Sequence, residues 1–489
     1  MSPELVTEIC VVGGGPAGAA IARQLALLGH QVCLVEKAAF PRAHIGESLP
    51  PSILPVLDLL DLRPVVESAG FCRPQSAFIR WSTHLPFEKP YEPEAGLLVD
   101  RGRFDQLLLE AAQTTGVTLL QPAAAGRPTT QGQNQWTLPV RTPEGKTTIK
   151  AQFLINATGK HSGFDRQVKH HAVTTLALYG YWHDTAFQPG ESFVEAGANE
   201  WFWGAALPDG SFNAAVFLAA ERYAAARPHQ RTAWYRSLLA QAPLLKGCLE
   251  GHLSRSVQVC DASFYLAPDP IGPDWLKVGD AAFAIDPLSA QGVQMALLSA
   301  LQGGIAAHTL LTQPAKTEAV CSFYRHKIQE TVTRSKTAAA YFYAAQNIYP
   351  ASPFWQQRSQ PPAVSQPAQW PQNTRLFELS DRIRLSPSAQ LITTPVIQNN
   401  AIELIPALYH PSLESPMAYL GDVEMAALLE LVTPGQTILE LVQQWRRQHD
   451  LSMCWQILQW CWGQDILVLA AALVPPTSLP TVPSQPQLL

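Results

Sequence analysis

The sequence predicts an α/β fold with a doubly wound first domain, an inserted antiparallel sheet and a small C-terminal domain. Three observations predict it. Residues 9–37 contain a strand, a glycine-rich turn, a helix and a second strand, which is one βαβ unit of a parallel sheet. Several β-rich runs lie between residues 166 and 269, and they indicate an antiparallel sheet. A strand ending at Gly279-Asp280 then returns the chain to the first domain.

The glycine-rich turn of the first unit has the composition of a phosphate-binding loop. Gly13 permits the tight turn from strand to helix, Gly15 lets the backbone approach a pyrophosphate, and Gly18 lets the helix pack on the sheet. The start of the helix presents free N–H groups and the positive end of its dipole. Glu36 ends the second strand, where a carboxylate accepts hydrogen bonds from ribose hydroxyls. The predicted dinucleotide-contacting residues here are Gly13, Gly15, Pro16, Ala17, Gly18, Glu36 and Lys37.

The predicted organisation interrupts the first domain with the antiparallel sheet. A chain of 489 residues is too long for one hydrophobic core, so two or three domains are expected. Near the C-terminus, Thr437 and Glu440 have the spacing of a capping box at the start of a helix. The predicted segments are a discontinuous first domain (1–165 and 270–315), the antiparallel substrate-facing sheet (166–269), a long helix (316–348), a Pro/Gln/Ser-rich linker (349–372), a small winged-helix-like α/β domain (373–473) and a disordered tail (474–489).

Charge and cysteine content argue against several classes of function. The formal net charge is −5 and the sequence has no Lys/Arg run, which argues against a nucleic-acid surface. The 8 cysteines are scattered without a CxxC pair, as expected of reduced thiols in the cytosol. No secretory signal precedes the first strand, and the apolar run at 466–474 is shorter than the ~20 residues that span a bilayer. A cytoplasmic protein without membrane or nucleic-acid partners is therefore expected.

The interruption of the first domain favours FAD over NAD as the dinucleotide. NAD-binding domains usually close within one contiguous block, whereas FAD proteins insert a substrate domain. Asp280 follows the returning strand, where its carboxylate suits a ribityl hydroxyl. Segment 286–293 then leads into a helix whose first N–H groups, at Gly292 and Val293, would face the flavin edge on which negative charge develops during reduction.

Three blocks resemble flavin-dependent halogenases and aromatic hydroxylases. They are the glycine-rich turn with Glu36, the VDRGRFD segment at 99–105, and the GDAAFAIDPLSAQG segment at 279–292. Residues 40–49, which we call the strap, are similar to the halogenase segment that crosses the flavin. The resemblance implies a Rossmann-like FAD-binding domain of the hydroxylase type. By the same likeness, FAD contacts are expected at Arg42, Ser48, Arg101, Asp280, Pro287 and Gly292.

Three features depart from the halogenase pattern while the flavin positions are retained. Arg73 stands where halogenases place a lysine, and a guanidinium stays protonated and is a poor nucleophile. Ala284 and Ala290 replace the Phe and Ser of the halide segment, and the Trp-x-Trp signature is stretched over 201–208. The resemblance therefore implies hydroxylation, in which a flavin C4a-hydroperoxide delivers oxygen to an aromatic ring. Halogenation of an indole, pyrrole or phenol, and an FAD-containing binding or reductase protein without oxygen chemistry, remain alternatives.

The source of electrons is predicted to be a separate protein. Aromatic hydroxylases that bind NADPH themselves usually carry an Asp-Gly motif in mid-chain, and Thr158 stands where that Asp is expected. The sequence has no second GxGxxG motif for NAD(P)H. A separate NAD(P)H-dependent flavin reductase is therefore the expected partner.

The broadest resemblance is to the flavoproteins that mature tryptophylquinone cofactors. It is carried by segment 201–210, which begins Trp-Phe-Trp-Gly, and by segment 407–421 in the C-terminal domain. These proteins act on a tryptophan within a partner polypeptide. The resemblance thus implies a polypeptide substrate, although no single residue here requires one.

The remaining candidate side chains belong to the strap and to one strand. His44 and Glu47 are candidate catalytic acids or bases because of their place in the strap. Trp201 and Trp203 alternate on a strand and share a face, so they form either an aromatic wall of the substrate pocket or part of the core. Arg73 is assigned to the same pocket. No metal site is predicted, since the adjacent His170 and His171 lack ligand spacing and acidic neighbours.

Overall fold

The computed structural model describes residues 4–92, 95–160, 173–225, 230–361 and 376–470. The chain forms two compact units, one of residues 1–364 with 397–402 and the other of 365–396 with 403–489. The adjacent histidines 170 and 171, most of the predicted linker's second half and the predicted tail lie outside the described residues. The predicted segment boundaries within the units stay predictions.

The first unit alternates helices and strands through its described length. Its elements are β1 (Glu4–Val12), α1 (Pro16–Leu27), β2 (Val32–Val35), β3 (Ser48–Leu49), α2 (Ile53–Leu59), α3 (Arg63–Ser68), β4 (Ser76–Arg80), β5 (Phe87–Pro90), β6 (Leu97–Leu98), α4 (Arg101–Gln113), β7 (Thr118–Leu120), β8 (Ala124–Ala125), β9 (Thr129–Thr130), β10 (Trp136–Thr142), β11 (Gly145–Asn156), β12 (Thr175–His183), β13 (Glu191–Ala196), β14 (Glu200–Ala206), β15 (Phe212–Ala219), α5 (Ala220–Ala224), α6 (Arg231–Leu239), β16 (His252–Leu253), β17 (Gln258–Asp261), β18 (Tyr265–Leu266), β19 (Trp275–Lys277), β20 (Phe283–Ala284), α7 (Gly292–Thr312), α8 (Thr317–Ala344) and α9 (Pro353–Arg358).

The first sheet brings the predicted dinucleotide residues to one edge. Its strand order is β7-β2-β1-β11-β10-β8, with β19 also paired to β11 and β9 to β10. β1 lies parallel to both β2 and β11, so that Val12 is level with Val35 and Asn156. Because ligands of doubly wound sheets bind outside the carboxyl ends of the strands, this edge is the expected site. The predicted βαβ unit and the return of the chain at β19 are confirmed.

Two glycines set the geometry of the first turn. Gly13 has φ +107°, a left-handed backbone conformation that favours glycine. A Cβ built on Gly18 would lie 1.8 Å from the carbonyl oxygen of Gly13, so α1 could not approach the strand end with any larger residue there. Pro16 occupies the first turn of α1, where its missing N–H costs nothing. The turn therefore needs the glycines that the sequence supplies.

The second sheet is mostly antiparallel and lies between two apolar clusters. Its order is β16-β12-β15-β14-β13-β4-β5, with β17 also paired to β12. One cluster contains Trp182, Phe202 and Phe212 together with residues of α6, and the other contains Trp201 and Phe217. The inserted antiparallel sheet is confirmed. β13 pairs with β4 in parallel, which brings β4 and β5 into this sheet from before residue 166.

The long helix α7 is a core helix of the first unit. In the described part of the chain it is the one helix long and apolar enough to span a membrane, with mean hydropathy 1.3. More than half of that stretch (56%) is buried inside the protein, however. Glycines at 303 and 304 lie against Val278, which follows β19, and Gln24 of α1. Its apolar composition is thus explained by burial against the sheet and α1.

The second unit is a small α/β structure. Its elements, with the hairpin that joins the two units in sequence, are β21 (Arg382–Leu385), β22 (Gln390–Gln398), β23 (Ala401–Tyr409), β24 (Tyr419–Leu420), β25 (Val423–Glu424), α10 (Met425–Leu429), β26 (Gln436–Thr437), α11 (Ile438–Trp445), α12 (Leu451–Gly463) and β27 (Leu467–Leu469). The capping box of Thr437 and Glu440 is present at the start of α11. Trp445 and Trp462 are buried in its core. Its winged-helix-like character stays a prediction.

Candidate functional site

One large cavity of about 1110 Å³ lies within the first unit, between the edge of the first sheet and the face of the second. Nearly all the predicted site residues line it. These are Gly13, Gly15, Pro16, Ala17, Glu36, Lys37, Arg42, His44, Glu47, Ser48, Arg101, Trp201, Trp203, Asp280, Pro287, Gly292 and Val293. Residues distant in sequence thus meet around one volume.

The start of α1 forms one end of the cavity and suits a pyrophosphate. Gly15 caps the helix in an extended conformation without any side-chain cap. A Cβ built on Gly15 would lie 3.3 Å from an Nη atom of Arg42, so this backbone and this guanidinium approach each other closely. The Nε of Arg42 is buried and has no hydrogen-bond partner among the described residues. An unpaired cationic donor beside an uncapped helix N-terminus fits an anionic group.

Glu36 lies at the end of β2 and is 5% exposed. Its two carboxylate oxygens accept hydrogen bonds from the N–H of Gly14 (2.6 Å) and the N–H of Ala38 (2.7 Å). An ionised carboxylate accepts about four hydrogen bonds in total, so these contacts leave room for ribose hydroxyls. The two backbone bonds hold the carboxylate in place for that role.

The start of α7 forms a second uncapped helix N-terminus at the cavity. Gln291 precedes the helix without a side-chain cap, and a Cβ built on Gly292 would meet open space. Asp280 is exposed after β19. The free N–H groups of this helix and the Asp280 carboxylate are the donors and acceptor expected around a flavin and its ribityl chain. The residues present therefore fit the FAD predicted from the sequence.

A buried arginine, Arg101, donates a hydrogen bond to the backbone of the strap. Arg101 donates from Nη1 to the carbonyl oxygen of Ile45 at 2.8 Å. Its Nε and Nη2 atoms bind both oxygens of Asp105, at 3.0 and 3.2 Å. Asp105 also binds Arg42, at 3.3 Å. A single buried carboxylate thus fixes the two arginines that the sequence analysis assigned to the cofactor.

His44 is neutral and offers a hydrogen-bond acceptor. Its Nδ1 lies 2.7 Å from the carbonyl oxygen of Ile45. Because a carbonyl oxygen can only accept, Nδ1 carries the proton and Nε2 has the lone pair. Although the side chain is exposed to the open cavity, the surrounding protein and then the nearby Arg101 lower its pKa to about 4. His44 is therefore uncharged near neutral pH.

Glu47 is buried and ties the strap to the second sheet. Its Oε1 accepts from the hydroxyl of Tyr181 at 2.5 Å and from Nδ2 of Asn213 at 3.1 Å. Its Oε2 accepts from the N–H of Gly46 at 2.9 Å. Burial raises the pKa of this carboxyl above its usual value. With its oxygens engaged in this way, Glu47 is placed to position the strap.

Aromatic side chains form the wall opposite the strap. Trp201 is 1% exposed and stacks on Phe217, with ring centroids 3.8 Å apart and an interplanar angle of 6°. Trp203 is half-buried and packs against the same cluster. Trp81 contacts both Trp201 and Trp355 edge-on. Both tryptophans line the cavity, and Trp201 is also a core residue, while their role in a substrate pocket stays a prediction.

Arg73 and Gly18 do not line the described cavity. Arg73 donates from Nη1 to the carbonyl oxygen of Ala95 and from Nη2 to the carboxylate of Glu67, each at 2.6 Å. This ion pair lies at a partly exposed position, so the placement of Arg73 in the substrate pocket is corrected. Gly18 acts where α1 packs on the sheet, as its predicted packing role requires.

Several residues that line or adjoin the cavity were not predicted from the sequence. Asp286, Lys160 and Tyr91 line the cavity, and the hydroxyl of Tyr343 binds Asp286. The Nζ of Lys160 donates to the carbonyl oxygens of Asp261 and Ser263, each at 2.8 Å. Asp286 was visible in sequence as the acid before Pro287, but Tyr343 carries no local signal because it arrives from α8. Within the described ranges no group of three or more His, Cys, Asp or Glu could hold a metal ion.

Known proteins are similar to this chain in sequence and in fold. The family model described as an FAD binding domain matches residues 6–244. The tryptophan 2-halogenase of Chondromyces crocatus is 30% identical over 370 residues, which cover 71% of this chain and 70% of that protein. The putative FAD-dependent oxidoreductase LodB of Marinomonas mediterranea is 26% identical over 369 residues, which cover 72% of this chain and 96% of LodB.

A solved structure extends the likeness over most of the chain. QhpG, a peptidyl tryptophan dihydroxylase essential for tryptophylquinone cofactor biogenesis, matches with a TM-score of 0.72 and 24% identity. The match covers 94% of this chain and 99% of QhpG, which establishes a shared fold. Together with the 30% identity to a flavin-dependent halogenase, it follows that the chain is an FAD-dependent oxidoreductase of the superfamily of flavin-dependent halogenases and aromatic monooxygenases.

Proposed function

We propose that the chain is an FAD-dependent monooxygenase that hydroxylates an aromatic ring, and that the ring is a tryptophan of a partner polypeptide whose quinone cofactor is being matured. The observation that carries the proposal is the position of Arg73. The side chain at the halogenase lysine position is an arginine, bound to Glu67 and Ala95 outside the cavity lining. That side chain therefore supplies no amine to the cavity.

In this proposal FAD lies along the cavity from α1 to α7. The N–H groups at Gly15 and Ala17 and the guanidinium of Arg42 would hold the pyrophosphate, and Glu36 would hold the adenosine ribose. Asp280 would bind the ribityl chain, and Gly292 and Val293 would present N–H groups to the flavin ring. Ser48 of the strap would contribute to holding the cofactor. Bound and reduced, FAD supplies the activation of dioxygen.

The chain's own residues would orient the substrate and receive its proton. Trp201 and Trp203 give the aromatic ring an apolar wall that also excludes water, and exclusion of water protects reactive oxygen species from unproductive decay. His44 presents the lone pair of a neutral Nε2. We assign to it the proton that the ring carbon loses when oxygen replaces hydrogen. Glu47 is a positioning residue, since it holds the strap through Tyr181 and Asn213.

Two observations support the polypeptide substrate and the separate reductase. The fold matches QhpG over 94% of this chain, including the second unit, and QhpG acts on a peptidyl tryptophan. Thr158 lines the cavity and donates its hydroxyl to Asn156 at 2.7 Å, so it does not supply the acid of an NADPH-binding Asp-Gly motif. We therefore propose that a separate flavin reductase provides the electrons.

The test supplies the FAD-loaded chain with a flavin reductase, NADH and oxygen. The substrates are a tryptophan-containing polypeptide and free tryptophan, and mass spectrometry of each product is the measurement. The expected result is a gain of oxygen on the peptidyl tryptophan that is independent of added chloride or bromide. Reactions without reductase or without FAD are the controls. Absence of an oxygenated product from both the polypeptide and free tryptophan would contradict the proposal.

Halogenation is the second candidate, and two observations favour it. The chain is 30% identical to a tryptophan 2-halogenase, and Lys160 brings an amine to the cavity lining. Its Nζ is bound to two backbone carbonyl oxygens, at 2.8 Å each. A halide-dependent product in the same assay, lost in Lys160→Met and retained in the surface variant Lys150→Met, would establish this candidate instead.

A further inference from the structure

Asp286 is a third buried carboxylate of the cavity lining, besides Glu36 and Glu47. It is 7% exposed and lies on the loop that leads into α7. It lines the main cavity and also a small cavity of about 30 Å³, next to residues Ala338, Ala339 and Phe342 of α8. A buried carboxylate is costly unless it is hydrogen-bonded.

The carboxylate of Asp286 has acceptor capacity left over. The hydroxyl of Tyr343 lies 3.1 and 3.0 Å from its two oxygens, and the N–H of Leu288 lies 3.0 Å from Oδ1. Since a hydroxyl carries one hydrogen, the described residues supply two donors to a group that accepts about four hydrogen bonds. Glu47, by contrast, accepts from Tyr181, Asn213 and the backbone of its own strap.

The surroundings of Asp286 are aromatic. Tyr343 belongs to the buried cluster that contains Trp201 and Phe217, and Leu288 packs against that cluster. Trp201, Phe217 and Leu288 all line the cavity. An aromatic ring placed against this wall would therefore find Asp286 as a polar group at its edge. A ring N–H or O–H buried there without an acceptor would lose its hydrogen bond to water and weaken binding.

We propose that Asp286 is the substrate-recognition residue of the cavity, accepting a hydrogen bond from the ring N–H of an indole or the O–H of a phenol. The inference rests on the proposed function, because that function places an aromatic ring in this cavity. The inference adds a binding preference to the proposed function: rings that carry a free N–H or O–H bind more tightly than rings of equal shape without one.

The test measures binding without turnover, so its outcome is separate from that of the hydroxylation assay. The FAD-loaded, oxidised protein is titrated with 3-methylindole and with 3-methylbenzothiophene, and the change in flavin absorbance reports binding. The wild-type protein is expected to bind 3-methylindole roughly tenfold more tightly, as a hydrogen bond to a charged acceptor predicts. Asp286→Ala is expected to bind both rings equally. Asp261→Ala, which alters another acid of the cavity lining, is expected to keep the preference.

A second measurement needs no variant. Burial raises the pKa of Asp286, while Tyr343 from α8, Arg358 from α9 and Lys160 after β11 surround the carboxylate. Lowering the pH protonates Asp286, so the preference of the wild-type protein for 3-methylindole should shrink. Equal binding of both rings by the wild-type protein, a preference that survives Asp286→Ala, or the binding of neither ring would each overturn the proposal.

Discussion

Among single residues, Arg42 has a buried hydrogen-bond donor that no described residue of the chain satisfies. Its Nη2 is paired with Asp105, yet its Nε is buried and unpaired among the described residues. Asp105 also accepts two hydrogen bonds from Arg101, so this buried carboxylate would still be paired if Arg42 were replaced. In the proposed function, the partner of this unpaired donor is an anionic group beside Gly15.

Arg42→Ala is expected to weaken FAD binding without unfolding the protein. A hydrogen bond to a charged group contributes about 1.5–3 kcal/mol, which corresponds to a rise of roughly ten- to a hundredfold in the dissociation constant. Equilibrium titration of the apoprotein with FAD is the measurement. Arg63→Ala removes a surface arginine that is paired with Asp58, and it should leave the constant unchanged. Equal affinities for the Arg42 variant and the wild type would remove Arg42 from the site.

Glu47 gives a prediction with a definite sign in pH. Burial raises its pKa in the folded protein above the unfolded value of about 4.3, so the folded state binds more protons between the two values. Stability contributed by Glu47 is therefore greatest at acidic pH and is lost as the pH rises through the folded pKa. Glu47→Gln should remove this loss, so the stability of the variant relative to the wild type should increase from pH 4 towards pH 7.

Thermal or urea unfolding of the apoprotein at several pH values measures this difference. In the variant, the amide nitrogen of Gln faces the donor groups of Gly46 or Asn213 and cannot accept their hydrogen bonds. This lowers the free energy of unfolding by about 1–3 kcal/mol at every pH. The slope with pH, and not the offset, is the diagnostic quantity. Glu430→Gln replaces an exposed acid at the end of α10 and is the control for the slope. A difference that is flat with pH would show that Glu47 does not titrate as inferred.

At the scale of the element, the contact between α1 and the first sheet depends on the absence of a side chain at Gly18. A methyl group there would lie 1.8 Å from the carbonyl oxygen of Gly13, so the helix would have to move away from the turn. The same movement would displace the N–H groups that start α1. We therefore expect a substitution at Gly18 to change both the stability of the fold and the binding of the cofactor.

Gly18→Ala is expected to destabilise the protein by at least 1–3 kcal/mol, the usual cost of overpacking, and to weaken FAD binding further. Gly463→Ala is the matched control, because Gly463 ends helix α12 and a Cβ there meets nothing within 4 Å. Thermal unfolding and FAD titration of both variants are the measurements. A Gly18 variant as stable as the Gly463 variant would contradict the close packing of α1.

Local sequence features explain why some elements were predictable and others were not. The first βαβ unit and the capping box of α11 depend on residues close in sequence, and both are present. β4 was missed as part of the second sheet because its parallel partner β13 lies more than a hundred residues away. The hydrogen bond between Tyr343 and Asp286 was missed because the two residues are also far apart in sequence. Arg73 was placed in the pocket because the sequence does not reveal its ion pair with Glu67.

At the scale of the whole molecule, the chain combines an FAD cavity with no second glycine-rich dinucleotide turn in its sequence. The lining of the described cavity includes Glu36 and Arg127 as well as Trp203 and Tyr91. FAD placed as proposed would occupy the part from Glu36 to Gly292, which leaves the aromatic part for the substrate. We therefore expect the electrons to arrive on a flavin that a separate protein has reduced.

The purified, FAD-loaded chain is therefore expected to leave NADH and NADPH essentially unoxidised, even with aromatic substrate present. Adding a flavin reductase should restore turnover, because free reduced FAD can then exchange with the oxidised FAD held between Gly15 and Gly292. Stopped-flow absorbance of the flavin under anaerobic conditions measures the reduction directly. Mixing the apoprotein with chemically reduced FAD, then with substrate and oxygen, is the control that bypasses any reductase. Rapid reduction of the bound flavin by NADPH alone would contradict the separate supply of electrons and would require a nicotinamide site that the motifs of this sequence do not indicate.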